Sequence, residues 1–569
     1  MKRGTLLVVL VALCVLGNAA CGGNSHHVIP VNSANFTFYA VGEDGPSPVS
    51  CVAGVVAIAT TASADGSFAV VGGVQDYNDA VVTSPQPGGD IITGGNLVIG
   101  SNGTGVLTII SPNGVGGIDG TETFAIVSPN FPGHGLIVQF DGVNTSSGSI
   151  DLQISTAMPS GSFAFTAVGG ADTGDGIGPT AFGGVFTVAA GAVSGTVDSN
   201  VLGDVTQGTA IPAGVTFSAS NTFGRGQVNG LTSTGTNLNY YVVGPEVIRI
   251  IDVDTATIDT GVGSAYGQGD TDFSSASIGQ SVFSVSNSFS GYAAAGEFFT
   301  SADDGAKPKA GKPVREGVIA CTGTSTCLFN GVGDLNELFA VDPVQLAAVD
   351  ISGNYAVGAN GYGSFVIGDG FGDLSNFGVY AVSPFLNILD PSDTTDTTGG
   401  ALLAEMDDSL EIGTGTIVPQ SDIDVDGFSG TYAGGGSGNT TEGDEFDFLT
   451  LATVTESNGT FSAIAAVSDP FGALTGTENT FTLDGTINAP IVPDEDFPGR
   501  YNFSPLVFAT PAPAFTTNMT VAAYQASASQ LFWIETDTDS YFGGSLELFP
   551  GTGNTDAKKA KPNNTKWKH

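Results

Sequence analysis

The sequence predicts an all-β protein: a tandem array of four similar antiparallel domains, each of about eight strands, closed as a small up-and-down barrel or stacked as a sandwich. Three observations carry this. The 569 residues include 84 Gly and short Val/Ile/Phe runs, with an apolar fraction of 41%, enough for several β cores. Segments of alternating polarity flank Gly-bearing turns, the pattern of β-hairpins. A passage of apolar run, acidic residue, polar turn, glycine and second apolar run recurs at 135–153, 246–268, 385–406 and 530–549.

The hairpins are "GGNLVIGSNGTGVLTIIS" (94–111), "GVTFSASNTFGRGQVNGLTS" (214–233) and "GNYAVGANGYGSFVIGDG" (353–370). The next strand recurs as "ETFAIVSP", "LNYYVVGP" and "FGVYAVSP", with "NMTVAAYQAS" in its place in the fourth copy, and proline ends it in the first three. Anchoring the copies on Asp141, Asp252, Asp390 and Glu535 places domains at 35–153, 161–268, 281–406 with a Lys-rich insertion, and 427–549. An acidic linker is expected at 407–426 and a basic tail at 550–569. The compact second copy predicts strands near 161–168, 180–189, 192–198, 214–222, 226–233, 236–243, 246–253 and 262–267. Phe163, Phe165, Phe186, Phe217, Tyr241 and Ile250 are of a size to fill its interior.

The four anchor acids are read as structural, accepting hydrogen bonds from turn amides at the end of the penultimate strand, in preference to metal binding or catalysis.

The N-terminus, "MKRGTLLVVLVALCVLGNAACGGN", has a basic start, an apolar stretch and small residues before Cys21, the plan of an export signal over 1–20 followed by a tether over 21–34. "AACGG" resembles a lipobox, which implies lipidation of Cys21. Asn18 departs from that pattern, and cleavage after Ala19 to a secreted soluble chain is the alternative. Export permits disulfides, and Cys321 and Cys327 frame "CTGTSTC", a segment suited to a local clasp. Cys51 is expected to be a buried apolar residue.

The formal charge is −42, with Lys and Arg segregated mainly into 307–315 and the C-terminal tail. No repeat offers a basic face, so nucleic acid binding is not expected. "DIDVDG" places Asp422, Asp424 and Asp426 like the first ligands of a calcium loop, but Ala433 stands at the twelfth position. A weak Ca²⁺ site competes there with a solvated acidic linker. No other cofactor is implied. His134 precedes "LIVQF" with no nucleophile motif nearby and is read as a surface or turn histidine rather than a general base.

The strands "GNYAVGANGYG", "FAIVSP" and "SGSIDLQ" resemble those of uncharacterised acidobacterial-type envelope lipoproteins built from repeated β-domains. That resemblance implies a lipid-anchored envelope protein, in the outer membrane, and brings no catalytic residues. The expected function is a structural or adhesive, surface-binding role without enzymatic activity. The alternative is a barrel lipoprotein that holds a small-molecule ligand in its interior.

Overall fold

The computed structural model describes residues 32–548 except for loop segments that include 302–325, 422–429 and 470–479. The export signal, Cys21, Cys321, the Lys-rich stretch 307–315, Asp422, Asp424, Asp426 and the basic tail lie outside the described residues.

Four antiparallel β-domains follow one another along the chain, as the repeats predict, and they are built as barrels, the second of them incompletely closed. In the third, Ser281–Asn287 pairs with both Tyr292–Ser301 and Thr414–Pro419, which closes eight strands into a ring. The fourth closes likewise, with Gly430–Thr440 between Glu445–Thr455 and Ser540–Leu548. In the first, pairing of Ser47–Ala59 with Phe68–Asn78, and of that strand with Gly94–Ile99, completes the circuit. A short extra strand, Asp90–Ile92, lies alongside Phe68–Asn78.

The second barrel is an eight-stranded sheet whose ends, Asp204–Ala210 and Arg225–Asn229, do not pair. Isolated bridges from Thr216 to Ala192 and from Phe217 to Val228 span that gap. The sequence places its fourth strand at 214–222, but the strand is Asp204–Ala210. That segment is polar and largely exposed, so no apolar face marked it, whereas 214–222 alternates without finding a continuous partner.

Alternation explains the cores. Phe163, Phe165 and Ala167 point into the second barrel and pack with Phe186, Phe217, Tyr240 and Ile250. Tyr241 does not belong to this set. Leu238, Tyr240 and Val242 face inward, and Tyr241 faces the first barrel, because successive residues of a strand take opposite sides. Phe298, Phe329 and Phe365 fill the third barrel, with ring centroids 4.8–5.1 Å apart. Phe448, Trp533 and Phe542 fill the fourth. The cavity left inside the second barrel is only about 10 Å³, room for roughly one water.

The third domain does not end at 406. Its eighth strand, Thr414–Pro419, lies within the segment read as an acidic linker. The long loop after Ser375–Val382 displaced the sequence alignment by one element.

The barrels do not form an extended string. The first three strands of each lie against the sixth to eighth strands of the next, and those of the fourth lie against the first. Each joint has its own buried apolar cluster. Val55 and Tyr241 belong to the first joint, Ala181 and Val382 to the second, Val282 and Phe532 to the third, and Leu449 and Val127 to the closing one. A head-to-tail interface repeated with closure yields a ring, here with pseudo-four-fold symmetry inside one chain.

Candidate functional site: the joints and the axial cavity

The third strand of each of the first three barrels carries Asp-x-Asn: Asp76 and Asn78, Asp198 and Asn200, Asp334 and Asn336. Each pair reaches into the next barrel. Asp76 takes two bonds from Arg225, at 2.7 and 2.9 Å, and one at 2.7 Å from each of Asn239 and Tyr241. Asp334 takes two from Arg500, at 2.8 and 3.0 Å, and one from Tyr524. Asp198 accepts from Tyr362 at 2.9 Å and Tyr380 at 2.7 Å. Burial raises the pKa of Asp198, against the hydrogen bonds of Gly208 and the two tyrosines.

The partners occupy matching places. Arg225, Tyr362 and Arg500 begin the fifth strand and pair across to Tyr241, Tyr380 and Tyr524 on the sixth. In the first barrel the corresponding cross-strand pair is Thr104 and Val127, and Val127 sits in the apolar closing joint. Asp447 serves that joint from the second strand of the fourth barrel, accepting from Thr145 at 2.7 Å. Among the described residues Arg225, Arg249 and Arg500 are the cationic Lys and Arg side chains, and all three are buried in joints.

The asparagines locate the strand-end acids. Asn78 donates to the carbonyl of Asp252 at 3.1 Å, Asn200 to that of Glu405 at 3.2 Å, and Asn336 to that of Glu535 at 3.3 Å. Glu405, not Asp390, is therefore the third copy's counterpart of Asp252 and Glu535. Asp390 lies in the loop before the seventh strand and accepts the Ser392 amide at 2.9 Å. Asp141 accepts the Asn144 amide at 3.0 Å, Asp252 that of Asp254 at 2.8 Å, and Glu535 the Ser540 hydroxyl at 2.8 Å. These carboxylates hold turns.

A second recurring signal ends each of the first three barrels: Gly-Ser or Gly-Thr, then glutamine four residues on. Gln153 donates to the Val242 carbonyl at 2.7 Å, Gln268 to that of Ala381 at 3.0 Å, and Gln420 to that of Gln525 at 2.9 Å. Each glutamine thus clamps the following barrel. The glycines, Gly148, Gly263, Gly415 and Gly544, run so close to the first strand that a Cβ would lie 1.9–2.1 Å from a carbonyl oxygen there.

First and eighth strands from all four barrels meet around a cavity of about 320 Å³ on the ring's axis. Ser149, Ser264, Thr416 and Ser545 line it, one from each final strand. His134 lines it too and is buried, not at the surface or in a turn as its sequence context suggested. Its Nδ1 lies 2.7 Å from Asp151 and its Nε2 3.3 Å from Glu547 of the fourth barrel. Burial opposes protonation, but Glu547 and Asp151 outweigh it and hold the imidazole pKa well above its usual value. Asp151 also binds Arg249 of the second barrel, whose guanidinium lies 4.7 Å over the Tyr39 ring. Arg249 contacts Tyr266, and Tyr266 donates to the Ile388 carbonyl of the third barrel at 2.9 Å. One polar network thereby ties all four barrels at the axis.

Cys51 is buried and free, with its thiol pKa raised by burial, and Cys327 is disulfide-bonded at the start of its strand. Cys321, the partner expected from spacing, lies outside the described residues.

No family model and no curated protein matches this chain. Among solved structures, it is similar to intact Ap-TbpB, N and C lobes, with 10% identity over 74% of this chain and 86% of that one, at a TM-score of 0.19. The isotype 1 transferrin binding protein B of serogroup B Neisseria meningitidis shows 12% identity over 73% and 84%, at a TM-score of 0.18. At such TM-scores neither likeness bears on how this chain is arranged or what it does.

Proposed function

We propose that the protein is a lipoprotein of the cell envelope, anchored through Cys21, with a structural or surface-binding role. The observation that carries this reading is the ring itself. The buried Asp, Arg and Tyr side chains of the first three joints bond across to the neighbouring barrel, and the barrel interiors are filled with aromatic and aliphatic side chains. Such a chain serves as one inflexible body that presents polar loops outward, rather than as a string of independent modules. His134, held between two carboxylates, acts as a strut within it. The disulfide at Cys327 and the N-terminal pattern support export.

Filled interiors argue against a ligand inside a barrel, the alternative that the sequence left open. The test is fractionation with surface labelling. The unaltered protein should sediment with membranes and react with an impermeant label on intact cells, and Cys21→Ser should release it. A soluble, unlipidated product beginning at Ala20 would overturn the anchor. Cells lacking the protein, if unchanged both in attachment to coated surfaces and in envelope integrity, would overturn the role.

A further inference from the structure

We infer that the axial cavity is a binding site for one small neutral polyhydroxylated molecule, of about monosaccharide size. This goes beyond the scaffold role and does not depend on the lipid anchor.

The cavity, about 320 Å³, falls at the small end of the range for ligand pockets, roughly 300–1,000 Å³. Its wall is unlike the joints around it. There, each buried polar group named above has a protein partner. In the cavity, Ser284, Ser286, Thr416, Ser437 and Ser545 are half-buried, and their hydroxyls make no hydrogen bond to protein among the described residues. Hydroxyls that both donate and accept match a ligand made of hydroxyl groups.

Charge excludes the other small polar classes. Asp151 is neutralised by His134 and Arg249, and Glu547 faces His134, so no carboxylate on the wall is left for a cation. A net charge of −42 over the chain disfavours entry of an anion. The rings of Tyr39, Tyr266 and Phe532 also line the space and supply apolar surface for the C–H face of a sugar ring. The final-strand glycines, where a Cβ would strike a carbonyl oxygen of the same barrel's first strand, let the first and eighth strands lie close together where they form the wall.

The test uses the mature full-length chain. Glucose, galactose, mannose and mannitol are titrated calorimetrically, beside gluconate and glucosamine as charged counterparts. At least one neutral compound should bind with one site per chain and at least ~10-fold more tightly than its charged counterpart. Ser284→Leu with Thr416→Leu, which fills the cavity from the third barrel, should abolish binding. Ser284→Ala with Thr416→Val, which removes hydroxyls without adding bulk, should weaken it by ~10-fold and keeps the test valid if the filled variant does not fold. Absence of binding by every neutral compound at ~10 mM, far above the range of a specific site, would overturn the proposal. So would binding that survives in a folded filled variant, or tighter binding of a charged analogue.

Discussion

Removing the Arg225 guanidinium would leave Asp76 buried with its charge uncompensated, and a broken buried pair costs about 3–5 kcal/mol. Arg225→Ala should therefore lower the stability of the whole chain by that order in denaturant titration. Asp76→Ala combined with Arg225→Met should recover part of the loss, since it removes both charges. Equal losses in the single and double variants would show that packing, not charge, holds the joint. At Gly183 a Cβ would stand 2.2 Å from the Tyr380 ring of the next barrel. Gly183→Ala should consequently destabilise the second joint, by roughly 1–3 kcal/mol as for other overpacked sites. Both signals stood in the sequence: the middle residue of "GRG" and "GYG" and the tyrosines of "LNYYVVGP" and "FGVYAVSP" are the joint residues. They were legible as repeats and not as contacts, because their partners lie more than a hundred residues away.

At the scale of the element, the weakest strand is the one the sequence misplaced. Asp204–Ala210 pairs along one edge only and is largely exposed, whereas Val247–Asp252 is buried and paired on both sides. Hydrogen exchange should run fastest in Asp204–Ala210 among the second barrel's strands and slowest in Val247–Asp252. Comparable protection in the two would mean that the gap beside Arg225–Asn229 is sealed by more than the bridges at 216 and 217. The other misplaced element, Thr414–Pro419, was hidden by the loop at 385–399. That loop contains its own Asx turn at Asp390 and so imitated the closing hairpin of the other copies. The final glutamine, shared by 153, 268 and 420, was the sequence signal that marks the true end.

At the scale of the molecule, the closing joint differs from the other three in taking its buried acid, Asp447, from the second strand and in pairing it with Thr145 and Ser147 rather than with an arginine or a tyrosine of the neighbouring barrel. Burial pushes Asp447 up to about 7, although Thr145 and Ser147 donate to it. Burial also pushes Glu122, beside Gln75, and Glu297, beside Gln420, up to about 8. A carboxyl whose pKa is higher folded than unfolded binds more protons in the native state between the two values. Its contribution is full below the unfolded value, near 4, and is lost as pH rises through the folded one. Stability in denaturant titration should hence fall between about pH 4 and 8 from these three groups, and Asp447→Asn should flatten the part below about 7. If the closing joint is the one that yields, small-angle scattering should show the ring expanding at pH 8 in the unaltered chain and not in Asp447→Asn. A pH-independent profile would place no functional load on this joint.

Period-two alternation, glycine turns and a repeated hairpin follow from local backbone and side-chain preferences, so the sequence by itself determined an array of four antiparallel β-domains, with barrel and sandwich both open, and pointed to a turn-holding role for Asp141 and Asp252. Whether an outward-facing residue meets water or another barrel is not a local property. Only the tertiary structure turned the array into a closed ring, moved His134 from surface to axis and replaced Asp390 by Glu405. The physical reason is that a head-to-tail interface closes or stays open according to the angle between neighbouring domains, which the whole packed face determines and no single segment encodes.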